Sequence, residues 1–204
     1  MLNLSSKLKW RSNDVRWVLF FLSFCTFLGS FEVAIAYFSF DRFLFLGGDY
    51  WRPFSAWLTQ LNLRHWLLNQ WGLVVMVVLL PRTLDQNHWI GFALIWLLSS
   101  LSLACSEYDN YVGLSGVLYG WLIYAAVISP FYSTAIKSIF IASLTIKVFS
   151  ENGYLPLPES NWVGDFIHGQ VAHESHFWGL MSGYLVLSMR WFYLLFLKKP
   201  VRRD

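Results

Sequence analysis

Charge and cysteine are both scarce in this chain. Only 13% of its 204 residues are charged, about half the share typical of a soluble domain. Two cysteines, Cys25 and Cys105, supply neither a disulfide framework nor a tetrahedral thiolate site. Both fall inside apolar runs, where an unpaired cysteine behaves as a small hydrophobe. No low-complexity stretch, internal repeat or extended polar domain is present either. What fills the chain is apolar: 56% hydrophobic and 20% aromatic residues. These come in long runs rather than as one-sided stripes, which indicates a membrane protein. The first run, from Trp17 to Phe38, is too long for a signal-peptide core. It also lacks a small-residue cleavage site, so it reads as a retained span.

Six helices are expected near 17–38, 62–80, 89–105, 113–129, 132–149 and 172–197, giving an all-α integral membrane fold. Pro81 ends the second and Pro130 the fourth, because proline cannot continue the helical ladder. The longest loop, 150–171, holds Pro156 and Pro158. Lys7, Lys9, Arg11, Arg16, Arg82, Lys137, Arg190, Lys198, Lys199, Arg202 and Arg203 fall on one side of this arrangement. Arg42, Arg52, Arg64 and Lys147 fall on the other, with most of the carboxylates. The positive-inside rule then places both termini in the cytoplasm. The chain divides into a cytoplasmic segment 1–16, a helical body 17–197 and a basic cytoplasmic tail 198–204.

Polar residues inside apolar spans are costly and point to function. His65, Asn69, Ser115 and His176 lie on the second, fourth and sixth helices. His65 is 15 residues from Leu80, Ser115 is 15 from Pro130, and His176 is 14 from Arg190. At about 1.5 Å per residue all three sit roughly 21–23 Å above the cytoplasmic edge. They therefore share one level, somewhat below the outer surface of a core about 30 Å thick.

Gly113-Leu-Ser-Gly116 opens the fourth helix, where unpaired N–H groups can receive a developing negative charge. The same cluster would also serve as a small-residue packing face. Gly116 and Gly120 on the fourth helix and Gly179 and Gly183 on the sixth repeat at the same interval. Two such faces allow close approach, bringing His176 to Ser115 as the base that a weak serine nucleophile needs. His65 and Asn69 share one helix face. They are either oxyanion donors alongside the Ser115 N–H or ordinary bonds between helices.

These residues resemble the rhomboid intramembrane proteases: Trp51-Arg52, His65-x-x-x-Asn69, Gly113-x-Ser115-Gly116 and His176-x-x-Gly179-x-x-x-Gly183, in that order. Tyr119 also matches, and the resemblance implies that it stacks on the catalytic histidine. It further implies a six-transmembrane-helix rhomboid-like bundle with a Ser115–His176 dyad. Leu61-Asn-Leu-Arg-His65 and Ile146-Lys-Val-Phe-Ser-Glu151 are similar to segments of the rhombosortase subgroup. By that resemblance the substrates are exported bacterial proteins with a C-terminal Gly-Gly motif, an apolar helix and a basic end, the GlyGly-CTERM tail. The enzyme would then sit in the inner membrane with its site opening to the periplasm. The sequence departs from the family at Gln60, where many members carry histidine, and at Ser175, where alanine is usual.

Other readings remain. His173-Glu-Ser-His176 spaces its histidines at i and i+3, whereas zinc helices use i and i+4, and no third ligand stands out. No metal or cofactor is therefore expected, and the partners are lipid bilayer and membrane-protein substrates rather than nucleic acid. His173 lies about 4.5 Å shallower than His176 and outside the two-glycine register. Neither it nor His168 is assigned a role. A general rhomboid cutting other single-span proteins and an inactive rhomboid-like binder are the alternatives.

Overall fold

The computed structural model describes residues 14–156 and 162–197. The expected N-terminal basic cluster (Lys7, Lys9 and Arg11), the 198–204 tail and Pro158 in the long loop lie outside the described residues. In chain order the helices are α1 (Val15–Leu28), α2 (Glu32–Phe38), α3 (Arg42–Leu46), α4 (Arg52–Ser55), α5 (Leu63–Leu79), α6 (Gln86–Cys105), α7 (Ser115–Ile128), α8 (Thr134–Glu151), α9 (Trp162–Ile167) and α10 (His173–Phe192). Two short strands, β1 (Phe40–Asp41) and β2 (Asn110–Tyr111), pair antiparallel with Phe40 opposite Tyr111.

Helices stand near each of the six expected positions, but not all are long, apolar spans. Length and composition qualify α6 and the stretch His173–Phe196, or three spans if α1 and α2 count as one broken crossing. α5 and α7 are apolar but shorter, and α8 carries Lys137, Lys147 and Glu151. The expected single span 17–38 is corrected here: α1 and α2 meet at a bend of 101°. The cause is a long-range contact at Gly29. Its carbonyl accepts from the Gln60 N–H at 3.0 Å, and a Cβ there would lie 1.9 Å from the Leu58 carbonyl oxygen.

Local chemistry sets most of the ends. Asp85 accepts from the His88 N–H and starts α6 three residues earlier than expected, as a short polar side chain at an N-cap does. Asn62 accepts from the Arg64 and His65 N–H groups and starts α5. At the opposite end of the body, the Val15 N–H donates to the Arg82 carbonyl at 2.9 Å. This fastens the start of α1 to the loop between α5 and α6.

α7 is the central helix. Ten of its fourteen residues are buried, including Val117, Trp121, Ile123 and Ala125. At about 21 Å it is too short to cross a core of about 30 Å, as befits a helix that begins inside the body. α10 lies along it with backbones in contact. A Cβ on Gly179 would come within 1.7 Å of the Gly116 carbonyl oxygen, and one on Gly183 within 2.7 Å of that of Gly120. The outer surface is apolar: Phe20, Phe21, Trp71 and Phe196 are each about two-thirds exposed. A surface of that kind suits lipid rather than water.

Between α2 and α5 the chain is pinned by Arg52, which is buried. Its guanidinium bonds to the Asp49 carboxylate at 2.8 Å, the Ser39 carbonyl at 2.9 Å and the Ala36 carbonyl at 3.3 Å. A buried arginine needs partners for its donors, and here most of them are backbone oxygens of the segment it anchors.

Candidate active site

The segment before α7 is shaped by Gly113, whose φ of 132° is one that side-chain-bearing residues rarely adopt. A Cβ there would also press to 2.7 Å from His65 Cε1. The Tyr111 hydroxyl donates to the Gly113 carbonyl at 3.0 Å, and the Ser175 hydroxyl lies 3.1 Å from that same phenol. Trp57, whose indole N–H donates to Ser100 Oγ at 2.8 Å, packs its ring 5.1 Å from Tyr111. The turn is thus held from both sides, and Ser115 emerges from it as the first residue of α7. No side chain caps this helix start. Among the described residues the Ser115 N–H has no bonded acceptor and is left for another, whereas the Gly116 N–H faces the Tyr111 hydroxyl.

His176 Nε2 lies 2.9 Å from Ser115 Oγ. The glycine seam explains this closeness, because side chains on α7 and α10 meet only when their backbones touch. Tyr119, one turn below Ser115, faces the imidazole with ring centroids 4.6 Å apart and planes inclined by 39°. His176 itself is buried, 6% exposed.

His65 and Asn69 line the same cavity as Ser115, Tyr119 and His176, a space of about 310 Å³. The Leu61 N–H donates to His65 Nδ1 at 3.3 Å. A neutral imidazole that accepts at Nδ1 carries its proton on Nε2, so His65 offers one N–H donor beside Gly113. Asn69 is engaged differently from expectation. Its amide nitrogen donates to Gln60 Oε1 at 2.7 Å and to the His65 carbonyl at 3.3 Å. Gln60, in place of the histidine common in the family, is fully buried and serves as the partner of Asn69.

Two residues without an assigned role enter the site from α8. Glu151 Oε2 lies 3.1 Å from His176 Nδ1, and its other oxygen is bonded to Lys147. Lys147 in turn stands 5.4 Å from the Tyr119 ring centre. Their sequence signal was the i,i+4 spacing of Lys147 and Glu151 and the likeness of segment 146–151 to a rhombosortase segment, neither of which assigned them a role. His173 is close but separate: its Nδ1 is 3.7 Å from Glu151 Oε2, and its ring centre is 6.1 Å from that of His176.

Glu151, His173 and His176 each offer one ligand atom, all within 4.8 Å of one another. Glu151 is thus the third potential metal ligand that the sequence did not reveal. The Lys147 ammonium on the other Glu151 oxygen sets a positive charge beside this donor set, which disfavours a cation there.

The segment from α9 to the start of α10 borders the cavity. Trp162, Val163 and Ile167 of α9 line it, with Gln170, Val171 and Ala172. Asn62 Nδ2 donates to the Ile167 carbonyl at 2.6 Å, and Arg64 bonds to His168. These contacts tie this segment to the start of α5.

No curated protein and no solved structure matches the chain. The model of the Rhomboid domain matches residues 47–192, nearly three-quarters of the sequence and every residue of the cavity described above. The chain therefore belongs to the rhomboid family of intramembrane proteases.

Proposed function

We propose that this protein is an intramembrane serine endopeptidase in which Ser115 is the nucleophile and His176 its general base. The observation that carries the reading is the 2.9 Å approach of His176 Nε2 to Ser115 Oγ in a cavity of about 310 Å³. Hydrogen-bond reach between a hydroxyl and an imidazole is the requirement for activating serine.

In the proposed reaction a substrate helix partly unwinds at the cavity, and one of its carbonyl carbons meets Ser115 Oγ. The Oγ proton passes to His176 Nε2 as the new C–O bond forms. Negative charge moves to the carbonyl oxygen, which the Ser115 N–H and the His65 Nε2–H receive. His176 then returns the proton to the leaving amine, and water admitted past α9 releases the acyl group. Asn69 supports this arrangement by holding Gln60 and the backbone of His65. Tyr119 supports His176 from below.

The preferred substrates are C-terminal sorting tails of the GlyGly-CTERM type on exported bacterial proteins. Glycine disfavours helix and lacks a side chain, so a Gly-Gly step at the top of an apolar helix unwinds easily into a narrow cavity. The likeness of segments 61–65 and 146–151 to rhombosortases supports this narrower assignment. The site is proposed to lie in the inner membrane, opening to the periplasm, with both termini cytoplasmic. The bond between Val15 and Arg82 supports that topology by joining the start of the body to a loop assigned to the cytoplasm.

Co-expression with a GlyGly-CTERM reporter tests the assignment. Cleavage is expected in the wild type and abolished in both Ser115→Ala and His176→Ala, at unchanged expression and without sensitivity to chelators. An intact tail alongside cutting of unrelated single-span proteins would leave a general rhomboid. Cleavage that survives Ser115→Ala but not chelation would point instead to a metal on Glu151, His173 and His176.

A further inference from the structure

Glu151 has no place in a Ser–His dyad, yet it completes a line of three groups. Serine, imidazole and carboxylate follow one another at 2.9 Å and 3.1 Å. We infer that Glu151 is the positioning residue of a Ser115–His176–Glu151 triad; this rests on the Ser–His reading above.

The argument begins with the ring. A carboxylate only accepts hydrogen bonds, so Glu151 Oε2 requires the proton of His176 to sit on Nδ1. That leaves the Nε2 lone pair facing Ser115 Oγ, the tautomer a general base must have. Without an acceptor at Nδ1 the ring is free to adopt the other tautomer, which presents N–H to the serine and cannot take its proton. The carboxylate also faces the positive charge that His176 acquires when the serine proton arrives. In the attack step the C–O bond forms and the carbonyl electron pair moves to its oxygen. One proton crosses from Oγ to Nε2, and Glu151 remains ionised.

The position of Glu151 is fixed rather than incidental. It is the last residue of α8, where a negative charge opposes the helix dipole. Lys147, one turn earlier, compensates by bonding to the oxygen not used by His176. Next along the chain, Asn152 Nδ2 donates to the Val148 carbonyl at 2.8 Å and to the His173 carbonyl at 3.0 Å. One side chain thus ends α8 and fastens that end to the start of α10. The Glu151 side chain is partly buried, 17% exposed, and Tyr119 limits the imidazole from below. His173 is the competing partner, at 3.7 Å from the same oxygen with poorer reach.

Purified wild type, Ser115→Ala, Glu151→Gln, Glu151→Asp and His173→Ala proteins, compared for tail cleavage in detergent, test the triad. Glu151→Gln is expected to lower kcat on the order of 10²–10⁴-fold with KM within about two-fold, the pattern of a lost orienting group rather than a lost binding group. Inactivation of Ser115 by a fluorophosphonate should slow in parallel, since it reads serine activation without substrate. Glu151→Asp keeps the charge and should retain more activity than Glu151→Gln, while His173→Ala should stay within about three-fold of wild type. Wild-type kcat in Glu151→Gln would overturn the triad and leave the dyad intact. So would equal losses in Glu151→Gln and Glu151→Asp with a fallen thermal midpoint, or an equal loss in His173→Ala. Failure of the wild type both to label at Ser115 with the fluorophosphonate and to cut any single-span substrate in a Ser115-dependent way would instead overturn the serine-protease reading, and the triad with it.

Discussion

The two helices that frame His176 from either side, α7 and α8, are built on opposite plans. α7 buries ten of fourteen residues and touches α10 backbone to backbone. α8, with eighteen residues, buries only Val148 and Ser150. The first is a seam with no room for adjustment, and it carries the pair that must stay within hydrogen-bond distance. The second reaches the site with two long charged side chains at its end and leaves the rest of its length to the surroundings. In this arrangement rigidity is concentrated where the reacting atoms are placed.

Breaking the seam should have the largest effect. Gly179→Val would force its side chain into the Gly116 carbonyl, 1.7 Å from the added Cβ. Overpacking costs up to about 3 kcal/mol even where side chains can shift, and here the obstacle is backbone. Cleavage should be lost and the thermal midpoint should fall by several degrees; an active, stable variant would show that the seam does not position the dyad. An intermediate effect should come from the α5 wall. His65→Ala removes a donor aimed at the cavity and should cost about 10²–10³-fold in kcat. Asn69→Ala, whose amide is already engaged by Gln60 and His65, should cost less. Steady-state rates that rank the two in the reverse order would return Asn69 to the oxyanion. The smallest effect is expected on α8 away from the site. Thr145 Oγ1 and the Tyr184 hydroxyl lie 2.6 Å apart and join α8 to α10. Removing the phenol in Tyr184→Phe should shift stability by about 1 kcal/mol and leave kcat near wild type. A large kcat loss there would mean that α8 is as tightly coupled as α7.

What was legible in the sequence follows the same division. Gly116, Gly120, Gly179 and Gly183 announce the seam by spacing alone, and a seam of that register selects His176 over His173. The shared depth of His65, Ser115 and His176 follows from helical rise, and the structure gathers all three in one cavity. Contacts between distant segments were not legible. The bend at Gly29 depends on Leu58 and Gln60, some thirty residues away, while the local run from Trp17 to Phe38 is predominantly apolar, with Glu32 its one charged residue. Glu151 joins a histidine twenty-five positions later; the likeness of its segment 146–151 to rhombosortases marked the stretch but did not point to that contact. The sequence left Asn69 open between an oxyanion donor and a structural bond, because its face was visible and its partner, Gln60, was not.

The most direct test of the central claim is fluorophosphonate labelling of the purified protein, with the modified residue located by mass spectrometry. The account predicts a single adduct on Ser115 that is lost in His176→Ala. An adduct on another residue, or labelling of Ser115 that proceeds equally without His176, would contradict it.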